Sequence, residues 1–172
     1  AQELAAAVLS YLSADGGKNI ERIMSAGGVR PLIALLSASE SPQAQSSASA
    51  VLSDMTRTSR AIQMAVAKEN AIEPLVALLA TDNALEARSA AAGAVWSLAK
   101  DNPDTQTALA EAIPPLVRLL DEADAEAQRK AAGALASLAI GSEANQNAAV
   151  TAGGIGALVT LLGEGSSTAV HA

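Results

Sequence analysis

The sequence has no cysteine and no phenylalanine, one tryptophan (Trp96), one tyrosine (Tyr11) and one histidine (His171). Lack of cysteine excludes a disulfide framework, a thiolate metal site and a thiol nucleophile. The single histidine lies in the closing stretch Gly163-Glu164-Gly165-Ser166-Ser167-Thr168-Ala169-Val170-His171-Ala172, where no second His or Cys exists to share an ion and no serine gains a triad base. Positive charge is also scarce. Eleven Lys and Arg face eighteen Asp and Glu, a formal net charge of −7, and nucleic-acid binders usually carry a basic stripe. Nucleic acid is therefore not an expected partner. No apolar run approaches the roughly 20 residues of a membrane-spanning helix, so no membrane partner is expected either. The opening Ala1-Gln2-Glu3-Leu4 lacks the basic region of a signal peptide and reads as the start of a segment of a longer chain. The expected location is intracellular, cytoplasmic or nuclear.

What the chain does have is small aliphatic residues. Apolar types make up 50% of its 172 residues, and Ala, Leu, Val and Ile dominate them. Ala and Leu are strong helix formers, and small side chains let helices approach closely. These residues recur with a period. Leu-[Ile/Val]-x-Leu-Leu occurs at Leu32–Leu36, Leu75–Leu79, Leu116–Leu120 and Leu158–Leu162, at spacings of 43, 41 and 42 residues. An Ala-rich segment keeps step with it: Ala5 to Leu12, Ala48 to Met55, Ala91 to Leu98 and Ala131 to Leu138. Two motifs in register at a period near 42 indicate a stack of helical repeats.

Turn chemistry divides each unit. Gly27-Gly28, Asn70 and Gly153-Gly154 precede the Leu-rich motif and suit the left-handed end of a helix, whereas Glu111 in the same column does not. Pro31, Pro74, Pro114 and Pro115 fall in the first turn of the following helix. Ser41-Pro42, Asn83 with Glu86, and Asp124 read as N-caps of the Ala-rich helix. The expected elements are short helices over 60–68, 103–110 and 143–151, medium ones over 29–38, 71–80, 113–122 and 155–163, and long ones over 42–57, 84–100 and 124–140. A long helix over 3–14 and a short one over 18–26 open the chain. The expected organisation is one domain, 1–172. It divides into a last helix of a partial repeat (1–15), full repeats 16–57, 58–100 and 101–141, and a partial repeat with a flexible tail (142–172).

Gly27-Gly28-Val29-Arg30-Pro31-Leu32-Ile33-Ala34-Leu35-Leu36 and Ala91-Ala92-Gly93-Ala94-Val95-Trp96-Ser97-Leu98-Ala99, with their copies at 153–162 and 131–139, resemble armadillo repeats over nearly the full chain. The resemblance implies an all-α, right-handed α-solenoid of three-helix repeats, with two-helix HEAT-like repeats as the alternative. It also implies that the long third helices line a concave groove that takes a protein segment or extended peptide. Peptide binders of the family place an Asn late in each third helix and a Trp one turn earlier. Here Tyr11, Asp54, Ser97 and Ser137 stand in the Asn column, and Ala7, Ala50, Gly93 and Gly133 one turn earlier, so both signatures are missing.

Helical spacing from that column groups Asp15 and Tyr11, then Ala50, Asp54 and Arg57, then Gly93, Ser97 and Lys100, then Arg129, Lys130, Gly133 and Ser137. The candidate partner-binding residues are Tyr11, Asp54, Arg57, Trp96, Ser97, Lys100 and Ser137. Trp96 is either an exposed hot spot or inter-repeat packing. Arg57, Arg60 and Arg88 form either a basic cluster for an acidic partner or surface pairs with Glu86, Asp82 or Glu69. Gly153-Gly154-Ile155-Gly156 opens a repeat helix rather than a phosphate loop, and Asp121-Glu122 and Asp124-Glu126 suit a helix start. No catalytic residue, metal or cofactor is assigned. The expected function is a non-catalytic protein–protein interaction scaffold. The alternatives are a module that self-associates end to end through its open repeats, and a regulatory domain of a larger protein such as a ubiquitin ligase.

Overall fold

A computed structural model describes residues 1–38 and 40–168, with side-chain surroundings defined for all of these except 38 and 164–168. His171 and the last four residues lie outside the described residues. Among the described residues twelve α-helices follow one another: α1 (Gln2–Ala14), α2 (Gly17–Ser25), α3 (Val29–Ala38), α4 (Pro42–Thr56), α5 (Arg60–Lys68), α6 (Ile72–Leu78), α7 (Leu85–Ala99), α8 (Pro103–Ala108), α9 (Ile113–Leu119), α10 (Ala125–Ala139), α11 (Glu143–Thr151) and α12 (Gly154–Thr168). Two shorter helices precede each of α4, α7 and α10, so a repeat holds three helices, not the two of the alternative architecture; α6, expected to be the medium helix of its unit, has 7 residues against the 9 of α5. Helix α12 runs through Thr168, past the expected end near 163.

The long helices stack side by side in the order α1, α4, α7, α10, and each of α4, α7 and α10 also packs on the medium helix of its own unit, α3, α6 or α9. Their Ala-rich faces make the close approach possible: Ala44, Ala48, Ala87, Ala91, Ala127 and Ala131 are all buried. The Leu-rich motif fills the space between layers, with Leu32, Leu75 and Leu116 in one buried column and Leu36, Leu79 and Leu120 in the next. Each such leucine is worth about 1.5–3 kcal/mol of burial.

The junctions show which turn signals act. Gly27, Asn70 and Gly153 adopt φ of 73°, 63° and 87°, the left-handed conformation expected of them. The junction at Glu111 closes differently, through a 3-10 turn over Ala110–Ala112. Behind Gly27, a Cβ on Gly28 would lie 2.7 Å from the Ile23 side chain, so the Gly pair serves both a turn and a tight approach. Ser41 and Asp124 cap α4 and α10 as expected, accepting from the amides of Ala44 and Ala127. The capping box at Asn83 and Glu86 is not formed. Ala84 is the N-cap of α7, and the Asn83 amide turns back to donate to the Ala77 carbonyl. An unforeseen left-handed residue, Asp101 (φ 55°), ends α7.

Side-chain amides on the short helices tie consecutive units together. Gln63 Nε2 donates to the carbonyls of Ser97 (2.9 Å) and Lys100 (3.0 Å), and Gln106 Nε2 to those of Ala99 (3.3 Å) and Ser137 (2.9 Å). Gln146 Nε2 donates to Ala139 (2.9 Å), and Asn145 Nδ2 to Leu138 and Gln106. These bonds satisfy carbonyls that the ends of α7 and α10 leave without helical partners. They hold the C-terminal ends of the long helices in line.

Candidate functional site: the groove over the long helices

The stacked long helices leave an open groove of about 860 Å³ lined by residues of α4, α7 and α10, of the turns that follow α4 and α7, and by Arg60 and Gln63 of the short helix α5. Its floor is small: Ala50 and Ser53 on α4, Ala90 and Gly93 on α7. Ser53 Oγ donates to the Gly93 carbonyl (3.1 Å), which draws the two helices together beneath the groove.

Trp96 rises from this floor and is half-buried. It lies against α10 at Gly133, where a Cβ would come within 2.6 Å of the indole ring. The Arg129 guanidinium carbon sits 5.4 Å from the ring centroid, within cation–π range. Arg129 is held in turn by Glu126 through Nε–Oε2 (2.8 Å) and Nη2–Oε1 (2.7 Å) bonds, and Lys130 Nζ approaches the same carboxylate at 3.4 Å. The Arg129 hydrogen bonds, and then Lys130, lower the Glu126 pKa to about 2; Arg129 is raised in response to Glu126. The indole is thus packed against the next repeat and in part open to the groove.

The candidate residues do not share one surface. Asp54, Arg57, Trp96, Ser97 and Lys100 line the groove. Asp54 accepts from Ser13 Oγ (2.7 Å) of α1 and pairs with Arg57 (2.6 Å). Lys100 is exposed and forms no ion pair among the described residues. Tyr11 is 80% exposed on α1 but outside the groove lining. Ser97 and Ser137 are only 4% and 7% exposed. The Ser97 hydroxyl is engaged by Thr56 Oγ1 (2.7 Å) and the Ala94 carbonyl (3.0 Å), and Ser137 is absent from the lining. Ser97 thus lines the groove with its hydroxyl already engaged, and Ser137 lies outside the lining. A serine in the Asn column is short enough for the neighbouring long helix to cover, and the open lining passes to its neighbours Ser53, Trp96 and Arg129.

The arginine readings also change. Arg57 pairs with Asp54, Arg60 with Asp104 and Arg88 with Glu122, whereas Glu69 pairs with Arg30. Arg88 is buried away from the groove, so no Arg57–Arg60–Arg88 cluster exists. Ala90, Glu126 and Ser46 are lining residues that the sequence did not single out as such. Helical spacing from Trp96 through Gly93 is the signal that points to Ala90. Among the described residues no group of three or more His, Cys, Asp or Glu side chains is placed to hold a metal ion, and no helix is long and apolar enough to cross a membrane.

The family model for the Armadillo/beta-catenin-like repeat matches residues 18–57 and 101–140. The chain is similar to a designed armadillo repeat protein solved in complex with the peptide (KR)4, at 29% identity and a TM-score of 0.81, covering 92% of this chain and 66% of that one. It is similar to computationally designed armadillo repeat proteins for modular peptide recognition, at 30% identity and 0.82, covering 92% and 67%. A further engineered protein matches at 33% identity and 0.83, over 93% of this chain and 65% of that one. The chain thus spans about two thirds of the length of these relatives. No curated protein sequence matches it. The fold is a right-handed α-solenoid, and the chain belongs to the armadillo repeat family.

Proposed function

We propose that this chain is a non-catalytic scaffold that holds an extended peptide or partner segment across α4, α7 and α10. The observation that carries the reading is the open groove with a half-buried tryptophan braced against Gly133 and Arg129. Small floor residues leave room for a main chain to lie close, and a fixed indole supplies apolar area at little ordering cost. The peptide recognition named for the designed relatives supports it. In this reading the chain is one domain built of repeats 16–57, 58–100 and 101–141 between two partial ones, Arg57, Trp96 and Lys100 touch the partner, and Ser97 and Ser137 set the helix spacing beneath it. Trp96 is the only tryptophan, so its emission reports occupancy directly. Peptides selected from a randomised display library are expected to shift that emission. Trp96→Ala and Ala50→Tyr, the latter filling the floor without removing a packing contact, are expected to abolish their capture with helix content intact. Undiminished capture by both variants refutes the reading.

Self-association is a second reading, favoured by a register observation. Leu12 of α1 is 45% exposed, whereas Met55, Leu98 and Leu138 in the same column are fully buried; Leu158 of α12 is 40% exposed, whereas Leu32, Leu75 and Leu116 are buried. In this reading the exposed faces of α1 and α12 from two copies meet head to tail, a heterologous contact that need not close. Analytical ultracentrifugation that finds a monomer at high concentration removes this reading.

A further inference from the structure

The groove carries the opposite charge to the molecule. Its lining holds five cations, Arg57, Arg60, Lys100, Arg129 and Lys130, against three carboxylates, Asp54, Asp101 and Glu126, in a chain of formal net charge −7. Four of the cations are already paired, Arg57 with Asp54, Arg60 with Asp104 just outside the lining, and Arg129 and Lys130 with the one Glu126 carboxylate, while Asp54 also accepts from Ser13. Lys100 has no ion pair among the described residues. It is the C-cap of α7, four residues beyond Trp96, and lines the groove with it.

Resting on the peptide-binding reading above, we infer that the groove selects an extended peptide rich in Asp and Glu, whose carboxylates meet Lys100, Arg57 and Arg129 while an apolar residue covers Trp96. The long helices sit roughly 8–10 Å apart, so α4 to α10 is a span of about six extended residues at roughly 3.3 Å each. Carboxylates on alternate residues of such a segment face the protein together. Outside the lining the chain carries six Lys and Arg (11 less 5) against fifteen Asp and Glu (18 less 3). A polyanion longer than the groove therefore meets mostly like charge beyond roughly 10 Å, about a Debye length, which favours a peptide segment over a nucleic-acid strand. The sign is also the reverse of that suited to the (KR)4 peptide of the designed relative.

Three blocked octapeptides of alternating Glu-Ala, Lys-Ala and Gln-Ala, and an eight-nucleotide oligothymidylate, distinguish the possibilities when titrated against Trp96 emission in 50 mM NaCl. The Glu-Ala peptide is expected to bind tightest and to weaken roughly fivefold in 300 mM NaCl, as salt screens the pairs. Lys100→Glu is expected to weaken it by about tenfold and Lys68→Glu, outside the groove, to leave it unchanged. Lys100 is exposed, so helix content should survive its reversal. Tighter binding of the Lys-Ala peptide, equal binding of the oligothymidylate, or indifference to Lys100→Glu overturns the charge inference and leaves the scaffold reading standing. If neither these nor library-selected peptides bind, both fail.

Discussion

Trp96 is legible in the sequence only as a singular residue, because its role depends on Gly133, some forty residues away on α10. A Cβ there would lie 2.6 Å from the indole. Gly133→Ala is expected to displace the ring, red-shift its emission and destabilise the fold by about 1–3 kcal/mol in urea unfolding, the usual cost of overpacking. Arg88 presents the reverse problem. Its side chain is 5% exposed, one nitrogen pairs with Glu122 at 2.6 Å, and Nε and Nη2 have no hydrogen-bond partner among the described residues. Replacing a buried, partly satisfied ion pair by apolar volume is often neutral or favourable, whereas removing one partner strands the other. Arg88→Met is therefore expected to match or exceed wild-type stability, and Glu122→Ala to cost about 1–3 kcal/mol; a large loss in Arg88→Met contradicts this. Glu126 gives the pH dependence. Its pKa is lowered to about 2 by Arg129, so its stabilising contribution is complete above the ordinary carboxylate range and is lost as pH falls from there toward 2. The pair is over half exposed, which keeps the effect within about 0–1 kcal/mol and makes it salt-sensitive. Glu126→Gln should flatten that acid limb in denaturation curves taken at successive pH values.

At the scale of the helix, the turn signals that worked are those whose chemistry is local. Ser41, Asp124 and Asn70 needed only their own backbone neighbours, and Asp124→Ala is expected to cost about 1 kcal/mol by thermal or chemical unfolding. Asn83 failed because a competing acceptor, the Ala77 carbonyl, is one turn back on α6. Burial phase failed for a different reason. Helix α7 carries small apolar residues on most of its faces, so periodicity alone assigns it no clear inner and outer side, and it buries residues on several faces. The Asn column was borrowed from the resemblance, and serine there is covered by the adjacent helix. One residue of phase separates buried Ser97 from half-buried Trp96.

For the whole molecule, the 42-residue period was enough to read a three-helix solenoid, because register between two motifs is a property of the chain itself. Which surface stays open was not, because it emerges only when helices stack. Stacking also sets the stability profile: solenoid units are held chiefly by their neighbours, and Leu158 of α12 lacks the cover that Leu75 and Leu116 receive. Amide exchange is expected to be faster after residue 150 than over 84–140, and uniform protection would contradict that. The same method tests the groove. With the tightest-binding peptide bound, new protection is expected over Pro42–Thr56, Leu85–Ala99 and Ala125–Ala139. Protection confined to α3, α6 and α9, or to the α1 and α12 ends, would contradict a partner seated on the long helices.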